Sequence, residues 1–321
     1  MRAQVKYDTA DFISPDGREM PDALKDNTSF YTVPHNDINL RVMLATAPTD
    51  APRGSIIICP GRTEFIEKYL ETVADLCARG FTVLILDPRG QGLSDRVTED
   101  PTMSYVKSFQ DYADDMAGVS SYFSALLPKP HILMGHSMGG CVVLQAVISG
   151  IMRPSAVVCT APMLGLFDVQ TPILIGLVKC FTAIGLGKRE LPFQRGRRGI
   201  PVPFESNKLT SDPVRYKNWA AYFLNVDRIR LGPPTYGWIV AALRSMDFVN
   251  KNADKLKVPT LIVAAGGDPI VDPSSNKAFA QAAGASYAVV PGALHELFLE
   301  RDELRNKFFA ELDNFLDGNA L

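Results

Sequence analysis

Short continuous apolar runs recur along the chain at 55–59, 81–86, 131–134, 155–160 and 258–265, each bounded by glycine, proline or charged residues. Runs this short and unbroken predict strands covered on both faces, as in a parallel sheet. Between them the apolar positions fall mostly at helical spacing. Phe65, Ile66, Tyr69, Leu70, Val73, Leu76 and Cys77 predict a helix reaching Arg79 and stopped by Gly80. Further helices are predicted over 105–127, 273–283 and 295–316, and further strands over 29–33, 38–46 and 285–290. Residues 1–27 are polar and turn-rich and predict a loosely ordered arm. Strand, helix, strand in this rhythm predicts an α/β fold on a mostly parallel sheet.

The rhythm lapses between 163 and 252, where helical patches, basic residues and the proline-rich turns 201–203 and 233–234 predict an inserted, mainly helical cap. The expected division is a core over 1–162 and 253–321 with the cap at 163–252. A chain of 321 residues exceeds the ~250–300 at which a single core stops growing, which fits such an insertion. Residues 172–186 are mainly apolar, but too few for the ~20 needed to span a bilayer. Lys188, Arg189, Arg195, Arg197 and Arg198 follow with one acid, Glu190. Apolar helix beside basic segment is either a buried cap helix or a surface-seated lipid-binding segment. Ile173, Leu177 and Phe181 are the candidate substrate-contacting residues of this stretch.

Composition narrows the function. A formal charge of -2 lacks the basic excess that nucleic-acid binding needs. The cysteines at 59, 77, 141, 159 and 180 are odd in number, sit in apolar stretches and form no Cys-x-x-Cys pair. They are expected as buried free thiols in a reducing compartment. The first thirty residues hold no apolar run of signal-peptide type. The expected location is the cytoplasm, with peripheral membrane-surface contact through the cap.

The chemistry centres on Gly135-His136-Ser137-Met138-Gly139, set between a predicted strand and a predicted helix. Such a pentad arises by chance in about one chain in ten of this length, so the strand–turn–helix setting has to carry it. No Gly-x-x-x-x-Gly-Lys is present to suggest phosphate binding instead. Functional groups of open α/β sheets gather at the carboxyl ends of strands. Of the four histidines, His131 starts a strand, His136 adjoins the serine and His35 lies in an N-terminal turn. His295 alone follows the last predicted strand. Asp268 follows the strand 258–265, whereas Asp272 precedes Pro273 and is explained as a helix N-cap. Ser137, Asp268, His295 is the nucleophile, acid, histidine order of α/β-hydrolases.

On these residues the chain resembles the α/β-hydrolase superfamily, and within it the lysophospholipase (L2-like) and monoacylglycerol lipase-like group. The likeness rests on Pro60-Gly61-Arg62-Thr63-Glu64, Asp87-Pro88-Arg89-Gly90-Gln91-Gly92-Leu93-Ser94, Gly135-His136-Ser137-Met138-Gly139-Gly140, Leu209-Thr210-Ser211-Asp212-Pro213, Gly267-Asp268-Pro269-Ile270-Val271 and Ala293-Leu294-His295-Glu296. Pro60 stands where most members have histidine. The resemblance implies a mostly parallel eight-stranded sheet flanked by helices and a Ser137, Asp268, His295 triad. It further implies an oxyanion hole from the backbone N–H groups of Arg62 and Met138, a lipid-like ester substrate, and neither metal nor organic cofactor. The same triad also serves acyl transfer and thioester or amide cleavage, and a hydrolase-like fold also occurs as a binding protein. Glu64 either orders the oxyanion loop or sits in a helix's first turn. The 87–94 loop reads as a structural turn, and Asp212 before Pro213 as a cap helix start.

Overall fold

The computed structural model describes residues 8–15, 17, 19–166, 172–190 and 199–321, and of 172–174 the backbone alone. Nine strands form one sheet: β1 (Asp8–Thr9), β2 (Thr28–His35), β3 (Ile38–Ala45), β4 (Gly54–Cys59), β5 (Phe81–Leu86), β6 (His131–His136), β7 (Ala156–Thr160), β8 (Thr260–Ala265) and β9 (Ser286–Val290). Their order is β1-β2-β3-β5-β4-β6-β7-β8-β9. The β5–β9 half is parallel throughout, while β1, β2 and β3 are antiparallel. The expected eight strands are thus present, and the two-residue β1 adds a ninth at the edge. Every residue of β4, β5, β7 and β8 is buried, which is why these strands read as unbroken apolar runs.

Helices cover both faces. On one lie α2 (Phe109–Tyr122), α3 (Met138–Ile148) and α6 (Tyr236–Lys251), sharing a buried cluster with Ile57, Leu84 and Leu133. On the other lie α1 (Leu70–Ala78) and α8 (Asp302–Gly318), packed with Ile56, Ile58 and Val83. The 163–252 interval leaves the sheet after β7 and contains α4 (Pro172–Phe181), α5 (Pro213–Asn225) and α6. Its last helix belongs to the sheet's own cover. Ser245 of α6 donates to Gln145 of α3 at 2.5 Å, and Val240, Ala241 and Val249 are buried in the shared cluster.

Four expectations need correction. The N-terminal arm is laid down where it is described: β1 pairs with β2, Phe12 packs on Phe30 at 6.0 Å, and Arg41 donates to the Asp11 carbonyl at 2.6 Å. α2 is shorter than 105–127, because Ser108 caps it by accepting from the Gln110 N–H at 3.1 Å. The closing helix starts at Asp302 rather than 295, since 291–301 is spent on a loop and a single 3₁₀ turn, Leu297–Leu299. Cys180 is exposed while Cys59, Cys77, Cys141 and Cys159 are buried. The reason is that α4 turns Val178 inward, and Leu177, Lys179 and Cys180 face outward.

Asp272 is the N-cap of α7 (Pro273–Ala283), with Oδ1 accepting from Ser274 N–H at 2.9 Å and Pro273 in the first turn. Asparagine caps as well as aspartate, so Asp272→Asn is expected to change stability by less than about 1 kcal/mol and to leave ester turnover within a few-fold. Thermal unfolding and turnover measured on one preparation check this.

Candidate active site

At the end of β6 the chain makes a turn that only a crowded glycine setting permits. Ser137 sits at φ 52° and ψ -117°, a strained conformation for a residue with a Cβ. Its N–H donates to the Thr160 carbonyl at 3.0 Å, and its own carbonyl accepts from Met163 at 2.9 Å. Gly139 is packed so closely under β4 that a Cβ there would lie 1.9 Å from the Cys59 carbonyl oxygen. The result is a hydroxyl held at the carboxyl edge of the sheet with α3 starting directly behind it.

His295 and Asp268 meet that hydroxyl. His295 Nε2 is 2.9 Å from Ser137 Oγ, and His295 Nδ1 is 2.7 Å from Asp268 Oδ2. With a carboxylate at Nδ1 the ring proton belongs there, leaving Nε2 to accept from the serine. The other Asp268 oxygen accepts from the N–H groups of Ile270 at 2.8 Å and Val271 at 3.0 Å. That fixes which oxygen faces the imidazole. The loops carrying acid and base are tied together as well, because Gly267 N–H donates to the Ala293 carbonyl at 2.8 Å.

Arg62 and Met138 flank the serine from two loops. Met138 is the first residue of α3, where free N–H groups and the helix dipole favour negative charge. Arg62 lies in the loop after β4, held on both sides: Gly61 N–H donates to Glu64, and Thr63 N–H donates to Gln91 Oε1 at 2.8 Å. Gln91 Nε2 also donates to the Gly61 carbonyl at 3.1 Å. Thr63 is left-handed at φ 64°. Among the described residues the Arg62 guanidinium donates to neutral oxygens, the Gly232 carbonyl and the Ser104 hydroxyl, and burial lowers its pKa to about 10.

Next to Ser137 and His295 lies a buried group of charges. Lys68 Nζ is 2.5 Å from Glu64 Oε1 and 2.6 Å from Glu296 Oε1. Tyr69 donates its hydroxyl to Glu64. His136 Nε2 stands 3.1 Å from Glu296 Oε2 and 3.7 Å from Glu64 Oε1. The attraction between His136 and these two carboxylates is mainly coulombic. Burial pushes His136 down, but Glu296 and Glu64 outweigh it and raise its pKa above the usual imidazole value. Burial likewise opposes the charged forms of Lys68 and Glu296, and their opposite-charge neighbours outweigh it, raising Lys68 and holding Glu296 well below the carboxylate range. Sequence spacing held a signal for the Glu64–Lys68 pair, which stand four apart. Gln91 and Glu296 fall inside two of the motifs that carry the resemblance, but no spacing assigned either a partner, because the partners come from elsewhere in the chain.

A cavity of about 140 Å³ opens on Ser137 and His295, with Lys68, Leu209, Trp219 and Ile270 in its wall. Arg62, Thr63 and Trp219 also border a neighbouring groove of about 300 Å³ lined by Ile200, Pro201, Phe223, Leu231 and Pro234. Leu177 and Phe181, two of the substrate contacts expected on α4, are not among these walls. Leu177 is exposed and Phe181 packs on Tyr236 at 5.1 Å. The Ile173 side chain, Arg195, Arg197 and Arg198 lie outside the described residues. α5 supplies the cover instead. Asp212 caps it through the N–H groups of Val214 and Arg215, and Tyr222 and Phe223 pack on Phe65 of the Arg62 loop at 5.0 and 5.6 Å.

This fold and this constellation define a class of hydrolase, and comparison with known proteins agrees. The family described as serine aminopeptidase, S33, matches residues 50–302. Lysophospholipase L2 of Escherichia coli K12 is 30% identical over 272 residues, covering 78% of this chain and 76% of that protein. A monoacylglycerol lipase of Mycolicibacterium smegmatis is 26% identical over 262 residues, covering 80% and 86%. The fold superposes on a soluble variant of a Saccharomyces cerevisiae monoglyceride lipase with a TM-score of 0.74 at 18% identity, covering 95% of this chain and 99% of that one. The chain belongs to this S33 family of α/β-hydrolases and is a carboxylic-ester hydrolase.

Proposed function

We propose that the protein is a serine esterase of lysophospholipase or monoacylglycerol lipase type. Ser137 attacks the ester carbonyl while His295 takes its proton, and the same imidazolium returns that proton to the departing alcohol. Asp268 holds the imidazole and offsets its transient charge. Water, deprotonated by His295, then releases the fatty acid from the acyl-serine. The N–H groups of Arg62 and Met138 receive the developing oxyanion, each such donor contributing roughly 3 kcal/mol to the barrier reduction. The observation that carries this reading is the unbroken chain of 2.7 and 2.9 Å contacts from Asp268 to Ser137 beside an apolar groove. A serine peptidase reading, raised by the family's description, has less support. An α-amino group needs an uncommitted carboxylate, and both acids bordering the Ser137 cavity, Glu64 and Glu296, are already paired with Lys68.

Fatty acid released from long-chain lysophospholipid, long-chain monoacylglycerol and a short nitrophenyl ester tests the substrate class. Either long-chain lipid is expected to exceed the short ester in kcat/KM. A preference for the short ester would overturn the lipid reading while leaving the esterase.

In this reading the cap proper spans 163–235, with α6 serving the core. Its outer surface carries exposed Leu177, Ile184, Ile200 and Val202 and the exposed cations Lys179, Lys188 and Arg189, the composition of a peripheral lipid-surface contact. Among the described residues no helix is long and apolar enough to cross a membrane. A cytoplasmic location accords with the four buried thiols. Lys188→Glu with Arg189→Glu is expected to lower hydrolysis in anionic vesicles, relative to that of a soluble ester, on the order of tenfold. An unchanged ratio would remove the membrane contact.

A further inference from the structure

Glu64, His136 and Glu296 bring their ligand atoms within 4.8 Å of one another, as a divalent-cation site would. The place of the cation is taken by the Lys68 ammonium, which contacts both carboxylates. These four side chains are almost wholly buried, and burying charge is costly enough that apolar packing of equal volume often does as well for stability. What apolar packing lacks is direction. Each partner of Lys68 comes from a different catalytic loop. Glu64 accepts from Gly61 N–H and so holds the loop of Arg62. Glu296 directly follows His295, and His136 directly precedes Ser137. The His136 and His295 rings are 4.9 Å apart. Lys68 itself is set on the rigid 3₁₀ turn Ile66–Tyr69 that leads into α1.

We propose that Lys68 is a positioning residue, a single ammonium that sets the distance between the Arg62 oxyanion loop and the His295 loop, with His136 drawing the nucleophile turn to the same two carboxylates. It takes no proton and touches no reacting atom in this role. Without it Glu64 and Glu296 lose the ammonium that bridges them, their loops are no longer held at one distance, and the oxyanion donor no longer faces the point at which His295 and Ser137 deliver the tetrahedral intermediate. This rests on the triad reading above.

The test is a set of variants of the full chain assayed on a soluble ester and with an alkyl boronate, which mimics the tetrahedral intermediate. Lys68→Met is expected to lower kcat on the order of a hundredfold, as sub-ångström to ångström misplacement does, with KM within a few-fold and boronate affinity falling in parallel with kcat. Lys68→Arg, which keeps the charge and can reach both acids, is expected to recover at least tenfold of that loss. The doubly substituted Lys68→Met, Glu296→Gln removes the repulsion between the two carboxylates without restoring the bridge, and kcat is expected to stay low. Recovery of wild-type kcat in the double variant would reduce Lys68 to charge balance and overturn the proposal, as would a Lys68→Met enzyme impaired in KM alone. Ser137→Ala in the same assay separates the readings: if it remains active the triad fails, whereas Lys68 is judged only against wild type.

Discussion

Ser137→Ala is expected to abolish ester hydrolysis, with a loss on the order of 10⁶ in kcat, because removing a triad nucleophile costs about as much as removing the whole triad. The fold should not notice. Alanine keeps the Cβ and therefore the strained φ of 52°, the backbone bonds to Thr160 and Met163 remain, and no cavity larger than a hydroxyl is made. What disappears is the 2.9 Å hydrogen bond to His295. A fluorophosphonate probe should label the wild-type protein and not the variant, while the two unfold at temperatures within a degree or two. Equal labelling of both would show that another residue is the nucleophile.

Asp268→Asn is the second large effect, expected at about 10⁴ in turnover, and its cause is a tautomer. One Asp268 oxygen accepts from the N–H groups of Ile270 and Val271, the other faces His295 Nδ1. An asparagine must keep its carbonyl oxygen toward those two N–H groups, so its NH₂ turns toward the imidazole. Nδ1 then has to accept, the ring proton moves to Nε2, and Nε2 can no longer take the proton of Ser137. Stability changes little, since the shape is kept. Turnover within tenfold of wild type would place the acid elsewhere, and inactivity of Asp272→Asn would name the alternative.

The parts of the structure that rest on local pattern were legible in the chain. Ile56 to Ile58 and Phe81 to Leu86 are buried on both faces, and burial on both faces leaves no alternation to misread. The order of Ser137, Asp268 and His295 was readable because each follows a strand, and the sheet brings strand ends together. Boundaries slipped where a residue had another task. His295 looked like a helix start and is instead fixed by Asp268, so α8 waits until Asp302. The group around Lys68 was legible only in its Glu64–Lys68 pair, for a different reason. Glu64 and Glu296 come from two loops and His136 from the end of β6, far apart in the chain, and only the closed sheet makes their charges neighbours. Leu177 and Phe181 of α4 were chosen for apolarity, which does not say toward which partner a helix turns.

The pairing of β7 with β8, Thr160 against Val263, has a consequence for a chain made from one end to the other. Ser137 and His295 are separated by 158 positions, so at roughly 5–20 residues per second Ser137 leaves the ribosome on the order of ten seconds before His295. Throughout that interval the nascent protein carries a serine without a proton acceptor. Closing so long a loop is also the slow, entropically costly part of reaching the native sheet. On the triad reading the chain is expected to cleave no ester until its last strand has docked, so that the first ester cleaved reports the docking of β9.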